Sequence, residues 1–238
     1  MKKSLFISVI IFIITVILAL SFEMNSNDTY IQSIYENEIV IEETKAETGE
    51  ESYEKGNYEE FKRINQDVLF VLHFYDRDLP VVFNGDNEFY VRKNLIKEYS
   101  SMGTPFVDQY TGFQGRNTLI HAHSSQNNER MFTFFKYFCD QEYADKHSFF
   151  TIEGKDQTWE MVIFSVIKID LDQDDYRDWM KKDWRNEDEF MNFIAEIKRR
   201  SLIETSVEVE PKERFITMVT CDMSIENGRF LIFAKENI

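Results

Sequence analysis

The chain has 238 residues, of which 43% are hydrophobic and 15% aromatic, so it can form one well-packed domain with room for an appendage. Its formal net charge of −16 argues against a nucleic-acid-binding protein, because such proteins neutralise phosphates with basic patches. The same charge suits a soluble surface better than adhesion to anionic lipid.

The N-terminus predicts a membrane anchor. Lys2 and Lys3 precede an uncharged apolar run over residues 4–22. About 20 helical residues cross a hydrocarbon core of about 30 Å, whereas a cleavable signal has an apolar region of about 7–15 residues. Since the lysines precede the run, we expect the N-terminus in the cytosol and the rest of the chain outside. A cleaved secretory signal peptide is the alternative.

The composition divides the chain into three parts. Residues 1–22 form the predicted cytosolic tip and transmembrane anchor, and residues 23–58 are rich in Glu, Ser, Asn and Thr. This composition predicts a solvated acidic stalk without functional residues. From residue 59 onward, apolar segments alternate with short polar ones, as in a packed domain. We expect this domain to extend over residues 59–238 and to carry the function.

This domain is predicted to be mostly β. A short helical stretch after Glu59 leads into segments separated by Gly, Asn and Asp, as in an antiparallel sheet or barrel. The segments are residues 68–74, 79–83, 88–91, 104–108 and 117–123. A long β-branched strand, Thr158–Asp170, is apolar on both faces and therefore central, and strands at residues 214–221 and 229–235 finish the chain.

Two helices interrupt these strands. Met131, Phe134, Phe135 and Phe138 follow the i, i+3, i+4, i+7 spacing of one helical face. Glu187–Arg200 shows the same periodicity, with acids in its first turn and bases in its last, as the helix dipole favours. The sequence therefore predicts a mostly-β barrel with inserted helices.

The chain has two cysteines, Cys139 and Cys221. A disulfide between them is one interpretation, because an extracytoplasmic compartment permits it. The other is that both are free. Met131, Phe135 and Cys139 recur at fourfold spacing, so a buried free thiol on the apolar face of a helix explains Cys139.

The histidines allow a metal site as a weak alternative. His121 and His123 are two residues apart on a predicted strand, so both point to the same side. Cys221 could supply a third zinc ligand, but no spacing specifies a closed site.

Nucleophilic catalysis is the remaining interpretation. Cys221, a distant histidine and Arg229, eight residues after the cysteine, are the parts needed for acyl transfer. The thiolate attacks a carbonyl, the imidazolium protonates the leaving amine, and the guanidinium faces the developing oxyanion.

From about Glu59 to Lys235 the chain resembles the class B sortases, membrane-anchored cysteine transpeptidases of Gram-positive bacteria. The closing family motif Thr-Leu-x-Thr-Cys is matched by "TMVTC", which ends at Cys221, and "GRFLIFAK" supplies the family's arginine, Arg229. The stretch "LIHAHSSQNNERMF" is similar to the family's Tyr-Gly-His-Asn followed by Met-Phe. Segments such as "LPVV", "DNEFY" and "GTPFVDQ" keep the family order, and Glu187–Arg200 fits the helical insertion of class B.

The resemblance implies a sortase-type β-barrel of about eight strands with inserted helices, preceded by the transmembrane helix. It implies cleavage of an Asn-Pro-Gln-Thr-like C-terminal sorting signal after Thr, through a thioacyl intermediate. An amine of the peptidoglycan cross-bridge or its lipid-linked precursor then accepts the acyl group. It further implies an enzyme that needs no cofactor or metal and lies in the cell membrane as a single-pass protein, with its catalytic domain extracellular. A pilin-polymerising sortase, a thiol protease and a catalytically impaired binding relative are the alternatives.

The resemblance also assigns site residues. Cys221 is the nucleophile and Arg229 the oxyanion cation, and His123 is the general acid and base because a small residue, Ala122, precedes it as in the family. The substrate-binding residues are His121, Val219, Thr220 and Ser124. His121 stands at the family's Tyr position, Ala122 at its Gly and Ser124 at its Asn, so these departures concern substrate preference and rate.

Overall fold

The computed structural model describes residues 57–75 and 77–237, in which eight strands close into one barrel in the order β1-β2-β3-β4-β7-β8-β6-β5. The strands are β1 (Val68–Phe74), β2 (Arg77–Val82), β3 (Phe106–Val107), β4 (Asn117–His121), β5 (Phe149–Glu153), β6 (Thr158–Asp170), β7 (Phe215–Asp222) and β8 (Gly228–Glu236). The α-helices are α1 (Asn57–Ile64), α2 (Gln141–His147), α3 (Tyr176–Trp179) and α4 (Glu187–Arg200). The prediction of a mostly-β barrel of about eight strands with inserted helices is confirmed.

The predicted membrane span at residues 4–22 lies outside the described residues, as does nearly all of the predicted stalk. Within residues 57–75 and 77–237, no helix combines the length and the apolar character that a membrane crossing requires.

Most neighbouring strands are antiparallel, but two pairs are parallel: β2 with β3 and β4 with β7. The β4–β7 pair joins segments about 100 residues apart, with Asn117 opposite Phe215 and His121 opposite Val219. Strands that run parallel end at the same edge of a sheet. The carboxyl ends of β4 and β7 therefore meet at one rim of the barrel.

The long strand β6 lies between β5 and β8, as its two apolar faces predict. One face, with Met161 and Val166, packs in the core inside the barrel. The other face, with Phe164 and Ile167, packs in a second core beneath α4. Side chains alternate along a strand, but a register shift between Ile163 and Ser165 in the β6–β8 pairing offsets this alternation, so residues an odd number apart on either side of the shift share a face. Apolar residues on both faces are what two separate cores require.

Helix α4 forms where the periodicity predicts it. The side chain of Asn186 accepts the Glu189 amide at 2.8 Å and so caps the first turn. Phe190, Ile194 and Ile197 are buried against the outer face of the barrel. The helix thus covers an apolar face of the sheet that would otherwise be exposed to water.

The strand predicted at residues 88–91 is wrong: the segment is a turn followed by a 3₁₀ helix, Tyr90–Arg92. The Asn84 side chain accepts the Asp86 amide at 3.0 Å, and the Asp86 side chain accepts the Glu88 amide at 2.9 Å. These local bonds satisfy backbone groups that a strand would have paired with a neighbour.

A helix forms where the spacing from Met131 predicts one, but it is not an α-helix, and the predicted place of Cys139 on its apolar face is wrong. Met131–Cys139 is 3₁₀ in character and kinked at Phe132. A threefold repeat puts Phe132, Phe135 and Phe138 on one face, and all three are fully buried. Cys139 is rotated off that face and is exposed, so it is not a buried core thiol.

The sequence prediction missed α2 and β5, which follow this segment. Asp140 caps α2 by accepting the Tyr143 amide at 2.9 Å. Strand β5 pairs with both β1 and β6 and closes the barrel. Its sequence, "FFTIE", is short and shows little alternation, so periodicity alone did not reveal it.

An ionised cluster joins α1 to the barrel wall. His73 Nδ1 lies 2.5 Å from Asp78 Oδ1, and His73 Nε2 lies 3.1 Å from Glu153 Oε2. Glu153 Oε2 also accepts the Tyr58 amide of α1 at 3.1 Å. Burial lowers the pKa of His73, but the hydrogen bonds to Asp78 and Glu153 outweigh burial and raise the pKa to about 9.

We expect His73→Gln to lose stability in a pH-dependent way. Because the pKa of His73 is higher in the folded state than in the unfolded chain, its contribution to the free energy of unfolding is complete below about pH 6.5. The contribution then falls as the pH rises through about 9. Urea unfolding at pH 6, 7.5 and 9.5 measures this, and the difference between wild type and variant should shrink towards zero at the highest pH.

The matched control is His147→Gln, which removes a histidine whose ring stacks on Tyr143. A difference between wild type and His73→Gln that stays constant from pH 6 to 9.5 would show that the His73 charge does not stabilise the fold.

Candidate active site

Three predicted catalytic residues meet at the rim where β4 and β7 end. In the β7–β8 hairpin Cys221 lies directly opposite Arg229. His123 follows β4 by two residues, and β4 runs beside β7. Cys221, His123 and Arg229 line one cavity of about 530 Å³. The barrel topology therefore brings together residues from three separate parts of the chain.

Three further segments complete this cavity. Asn87, Glu88 and Val91 belong to the turn and 3₁₀ segment between β2 and β3, and Tyr110 to the loop after β3. Tyr176, Arg177 and Met180 come from α3 and the residue after it. The walls carry aromatic and apolar side chains together with many polar and charged groups, a mixture that can hold and orient a peptide.

Hydrogen bonds extend the β4–β7 contact beyond the last ladder pair. The Ala122 amide donates to the Val219 carbonyl at 3.2 Å, and Thr220 Oγ1 donates to the Ala122 carbonyl at 2.7 Å. Ser124 Oγ donates to the Cys221 carbonyl at 2.6 Å. The backbone on either side of the two candidate catalytic groups is thereby fixed.

The imidazole of His123 is held by a backbone carbonyl across the cavity. Its Nε2 lies 2.9 Å from the Val91 oxygen. A carbonyl can only accept, so Nε2 carries a hydrogen and Nδ1 is the nitrogen left for proton exchange. Burial, reinforced by the charge of Arg92, lowers the pKa of His123, although the Val91 bond opposes this shift.

A glycine supports the carbonyl that holds His123. Gly103 has φ +61°, and a Cβ at this position would lie 2.5 Å from the Tyr90 oxygen and 2.6 Å from the Val91 oxygen. Any side chain here would push the Val91 peptide away, in a backbone conformation that L residues disfavour. Gly103 therefore lets two loops pass closely enough to fix the partner of His123.

Cys221 and Arg229 are both half-buried, so each is partly accessible from the cavity. The Arg229 Nη1 donates to the Gly228 carbonyl at 2.8 Å, which leaves other donors of the guanidinium for a ligand. Tyr176 lines the same cavity, and burial raises the pKa of its hydroxyl. Nothing in the sequence around Tyr176 indicated this place.

A buried carboxylate supports the far wall. Asp108 Oδ1 accepts the Tyr110 and Thr111 amides at 2.8 and 3.0 Å. Its Oδ2 accepts from Asn87 Nδ2 at 2.7 Å and lies 3.4 Å from His121 Nε2. Burial alone would raise the pKa of Asp108, but these contacts outweigh it and lower the pKa to about 2. No sequence motif indicated a site role for Asp108 or Asn87.

Of the four predicted substrate-binding residues, the structure places three in this cavity: His121, Val219 and Thr220. Ser124 lies instead in the wall of a second cavity of about 460 Å³. His123 lies beyond the end of β4, so the alternation of strand side chains does not apply to it, although both histidines line the same cavity.

Both cysteines line the second cavity, and both are free thiols. The cavity also contains Lys168 and Asp222, which form an ion pair with 3.1 Å between Nζ and Oδ2. Within the described ranges, no three His, Cys, Asp or Glu side chains are arranged to hold a metal ion.

This arrangement is suited to acyl transfer. A thiol, an imidazole with one free nitrogen and a guanidinium border the same cavity, which is large enough for several side chains of a peptide. These are the nucleophile, the proton carrier and the anion-stabilising cation that a thioester mechanism needs.

Comparison with known proteins finds sortases of class B. No protein-family model matches the chain. Sortase B of Listeria monocytogenes is 26% identical over 182 residues, which are 74% of this chain and 72% of that protein. Sortase B of Staphylococcus aureus is 26% identical over 184 residues, covering 75% and 73%.

Comparison with solved structures also finds sortase B proteins. The structure of Clostridium perfringens sortase B aligns with TM-score 0.70 at 26% identity, over 76% of this chain and 99% of that one. Staphylococcus aureus sortase B in a complex with substrate, and a sortase B in a complex with triglycine, align with TM-score 0.71 at 22% identity over 87% of this chain, a likeness of fold. Sequence and fold together make this chain a homologue of the class B sortases and a cysteine transpeptidase.

Proposed function

We propose that this transpeptidase cleaves an Asn-Pro-Gln-Thr-like C-terminal sorting signal of surface proteins after Thr and joins the new carboxyl end to a cell-wall amine. Cys221 is the nucleophile, His123 the general acid and base, and Arg229 the oxyanion cation. The observation that carries the proposal is the pairing of Cys221 with Arg229 at the rim where β4 delivers His123, around a single cavity.

In the first half-reaction the Cys221 thiolate attacks the carbonyl carbon of the signal's Thr. A C–S bond forms, and the oxyanion that develops lies against the guanidinium of Arg229. The C–N bond then breaks, and imidazolium His123 gives its Nδ1 proton to the leaving amine. The products are a thioester on Cys221, a neutral imidazole and the released C-terminal peptide.

In the second half-reaction Cys221 is the leaving group and His123 is the base. A primary amine of the cell-wall cross-bridge or its lipid-linked precursor attacks the thioester carbon, and Cys221 leaves as a thiolate. His123 accepts a proton from the attacking nitrogen and becomes imidazolium again. Complexes of sortase B with substrate and with triglycine support a peptide donor and an amine acceptor for these relatives.

The lowered pKa of His123 predicts that the enzyme turns over slowly. At an ordinary pKa of about 6.5, roughly a quarter of imidazoles are charged at pH 7. Because the pKa of His123 is lowered, fewer are charged here, so the imidazolium that the first half-reaction needs is a minor species. Tethering enzyme and substrate to one membrane raises their effective concentration, so slow turnover suffices.

We infer from the sequence that the protein crosses the membrane once. Residues 1–22 anchor the protein with its N-terminus in the cytosol, residues 23–58 form an acidic stalk, and residues 59–238 are the extracellular catalytic domain. The apolar run at residues 4–22 and the preceding lysines support this arrangement. Such an anchor presents the active site near the outer leaflet, where secreted surface proteins emerge.

The test is a transpeptidation assay with the full chain in mild detergent. An Asn-Pro-Gln-Thr peptide is supplied with and without triglycine, and mass spectrometry follows the enzyme and the products. We expect a thioacyl adduct on Cys221 and a ligated product that requires triglycine. Hydrolysis unaffected by triglycine would indicate a thiol protease, and peptide binding without an adduct a catalytically impaired relative. Ligation to pilin-derived lysine in preference to triglycine would indicate a pilin polymerase.

The first prediction for this site concerns the two cysteines. Cys221→Ala should abolish the adduct and peptide cleavage, because no other thiol faces Arg229 in the β7–β8 hairpin. Cys139→Ala should retain both activities, since Cys139 does not line the first cavity, where His123 and Arg229 lie. A peptide adduct on Cys139 in the wild-type enzyme would contradict this assignment.

The second prediction concerns the cation. Arg229→Lys keeps the charge but loses the planar fork of donors. We expect kcat/KM to fall about 100-fold or more, the scale of losing one oxyanion donor. Alkylation of Cys221 by iodoacetamide should continue, which serves as the control for folding. Wild-type turnover in the Lys variant would show that only the charge matters.

The third prediction separates the histidines. His123→Ala should reduce turnover to near background, because it removes the proton carrier. His121→Ala should change mainly KM or peptide preference, since His121 contacts Asp108 in the cavity wall. Steady-state kinetics with one sorting peptide decide between them, and an inactive His121→Ala beside an active His123→Ala would reverse the assignment.

A further inference from the structure

We propose that Glu88 and Tyr110 form a subsite for a basic side chain of the donor peptide, at the residue immediately before the Asn of the sorting signal. This inference rests on the proposed function, because it extends the peptide specificity of the same site. Both residues line the first cavity, and both are exposed, Tyr110 at 78%. A Lys or Arg side chain bound there contacts a carboxylate and an aromatic ring together.

Hydrogen bonds hold the two segments that carry Glu88 and Tyr110 side by side. Asn87 Oδ1 accepts the Gln109 amide at 2.7 Å, and Asn87 Nδ2 donates to Asp108 Oδ2 at 2.7 Å. Asp108 Oδ1 accepts the Tyr110 amide at 2.8 Å. The residues directly before Glu88 and Tyr110 are thus bonded to each other and to a buried carboxylate, so the two side chains start from a fixed backbone.

Glu88 provides the carboxylate of this cavity that is left for a ligand. Its side chain has no hydrogen-bond or ion-pair partner among residues 57–75 and 77–237. Asp108 is 2% exposed, and its two oxygens already accept hydrogen bonds. Of the cations in the lining, Arg177 donates to both oxygens of Asp175, at 3.0 and 2.7 Å, and Arg229 serves the oxyanion. A negative charge at Glu88 therefore faces the peptide without a cation beside it.

The strand pairing places this subsite upstream of the cleaved Thr, in the part of the signal that stays on Cys221 as a thioester. The Asp108 amide donates to the Leu119 carbonyl on β4 at 2.9 Å. Leu119 pairs with Thr217 on β7, four residues before Cys221. Two strand spacings across the sheet and four residues along β7 separate Asp108 from Cys221 by roughly 15 Å. An extended peptide covers this distance with about four residues, which reaches the residue before Asn.

A basic side chain gains from both groups of the subsite. An exposed ion pair and an exposed contact between a cation and an aromatic face each contribute modestly, and together they correspond to about a fivefold gain in kcat/KM. An acidic side chain at the same position meets the like charge of Glu88 and is disfavoured.

The test compares peptides that differ only in the residue before Asn. The full chain in mild detergent receives X-Asn-Pro-Gln-Thr peptides with one common C-terminal extension, where X is Lys, Gln or Glu, and kcat/KM is measured with triglycine as the acceptor. Glu88→Gln removes the charge at nearly constant size, and Tyr110→Leu removes the ring. Glu98→Gln is the matched control, because Glu98 is an exposed carboxylate in the same connection between β2 and β3 and lines neither cavity.

We expect the wild type to prefer the Lys peptide over the Gln peptide about fivefold, and the Gln peptide over the Glu peptide. The ratio of Lys to Gln should fall close to one in Glu88→Gln, fall in part in Tyr110→Leu and keep its wild-type value in Glu98→Gln. Because Glu88 has no internal partner, its substitution removes no contact that the fold uses.

A wild-type ratio below about twofold, or a ratio that Glu88→Gln leaves unchanged, would overturn the inference while the peptides are still cleaved. Failure of the wild type to cleave any of the three peptides would instead refute the proposed function, and this inference with it.

Discussion

The parallel pairing of β4 with β7 is the contact on which the site depends. It brings segments about 100 residues apart to end at one rim, with His121 opposite Val219. The antiparallel β7–β8 hairpin then places Arg229 opposite Cys221 at the same rim. A shift of either register by one residue would turn the side chains to the other face of the sheet and disperse the site. Two cores, one inside the barrel and one beneath α4, hold both registers.

Backbone groups carry out much of the fine positioning. The Val91 carbonyl fixes the tautomer of His123, and Gly103 allows the chain to pass closely enough to support that carbonyl. Ser124 holds the Cys221 carbonyl from the other direction. Because these partners are neutral, they orient the reacting groups without adding a charge that would compete with the thiolate or the developing oxyanion.

Patterns within one element were predicted well, and patterns that depend on distant contacts were not. The periodicity of α4 and the two apolar faces of β6 identified both elements, because each buries a continuous surface. Fourfold spacing suggested an α-helix that buries Cys139, but the packed aromatic residues of this segment follow a threefold 3₁₀ repeat, and Cys139 is exposed. The strand predicted at residues 88–91 was displaced by local side-chain bonds of Asn84 and Asp86.

The sequence by itself determined the family resemblance and the candidate residues Cys221, His123 and Arg229. It could do so because each of these residues lies in a short motif, and the motifs follow one another in the order found in the family. Only the tertiary structure decided that Asp108, Tyr176 and the Val91 carbonyl surround them, and that Cys221 borders two cavities. Such facts depend on which strands pair and which loops cross. Strand pairing and loop crossing depend on how distant segments pack together into common cores, so the spacing of residues within one segment does not predict them.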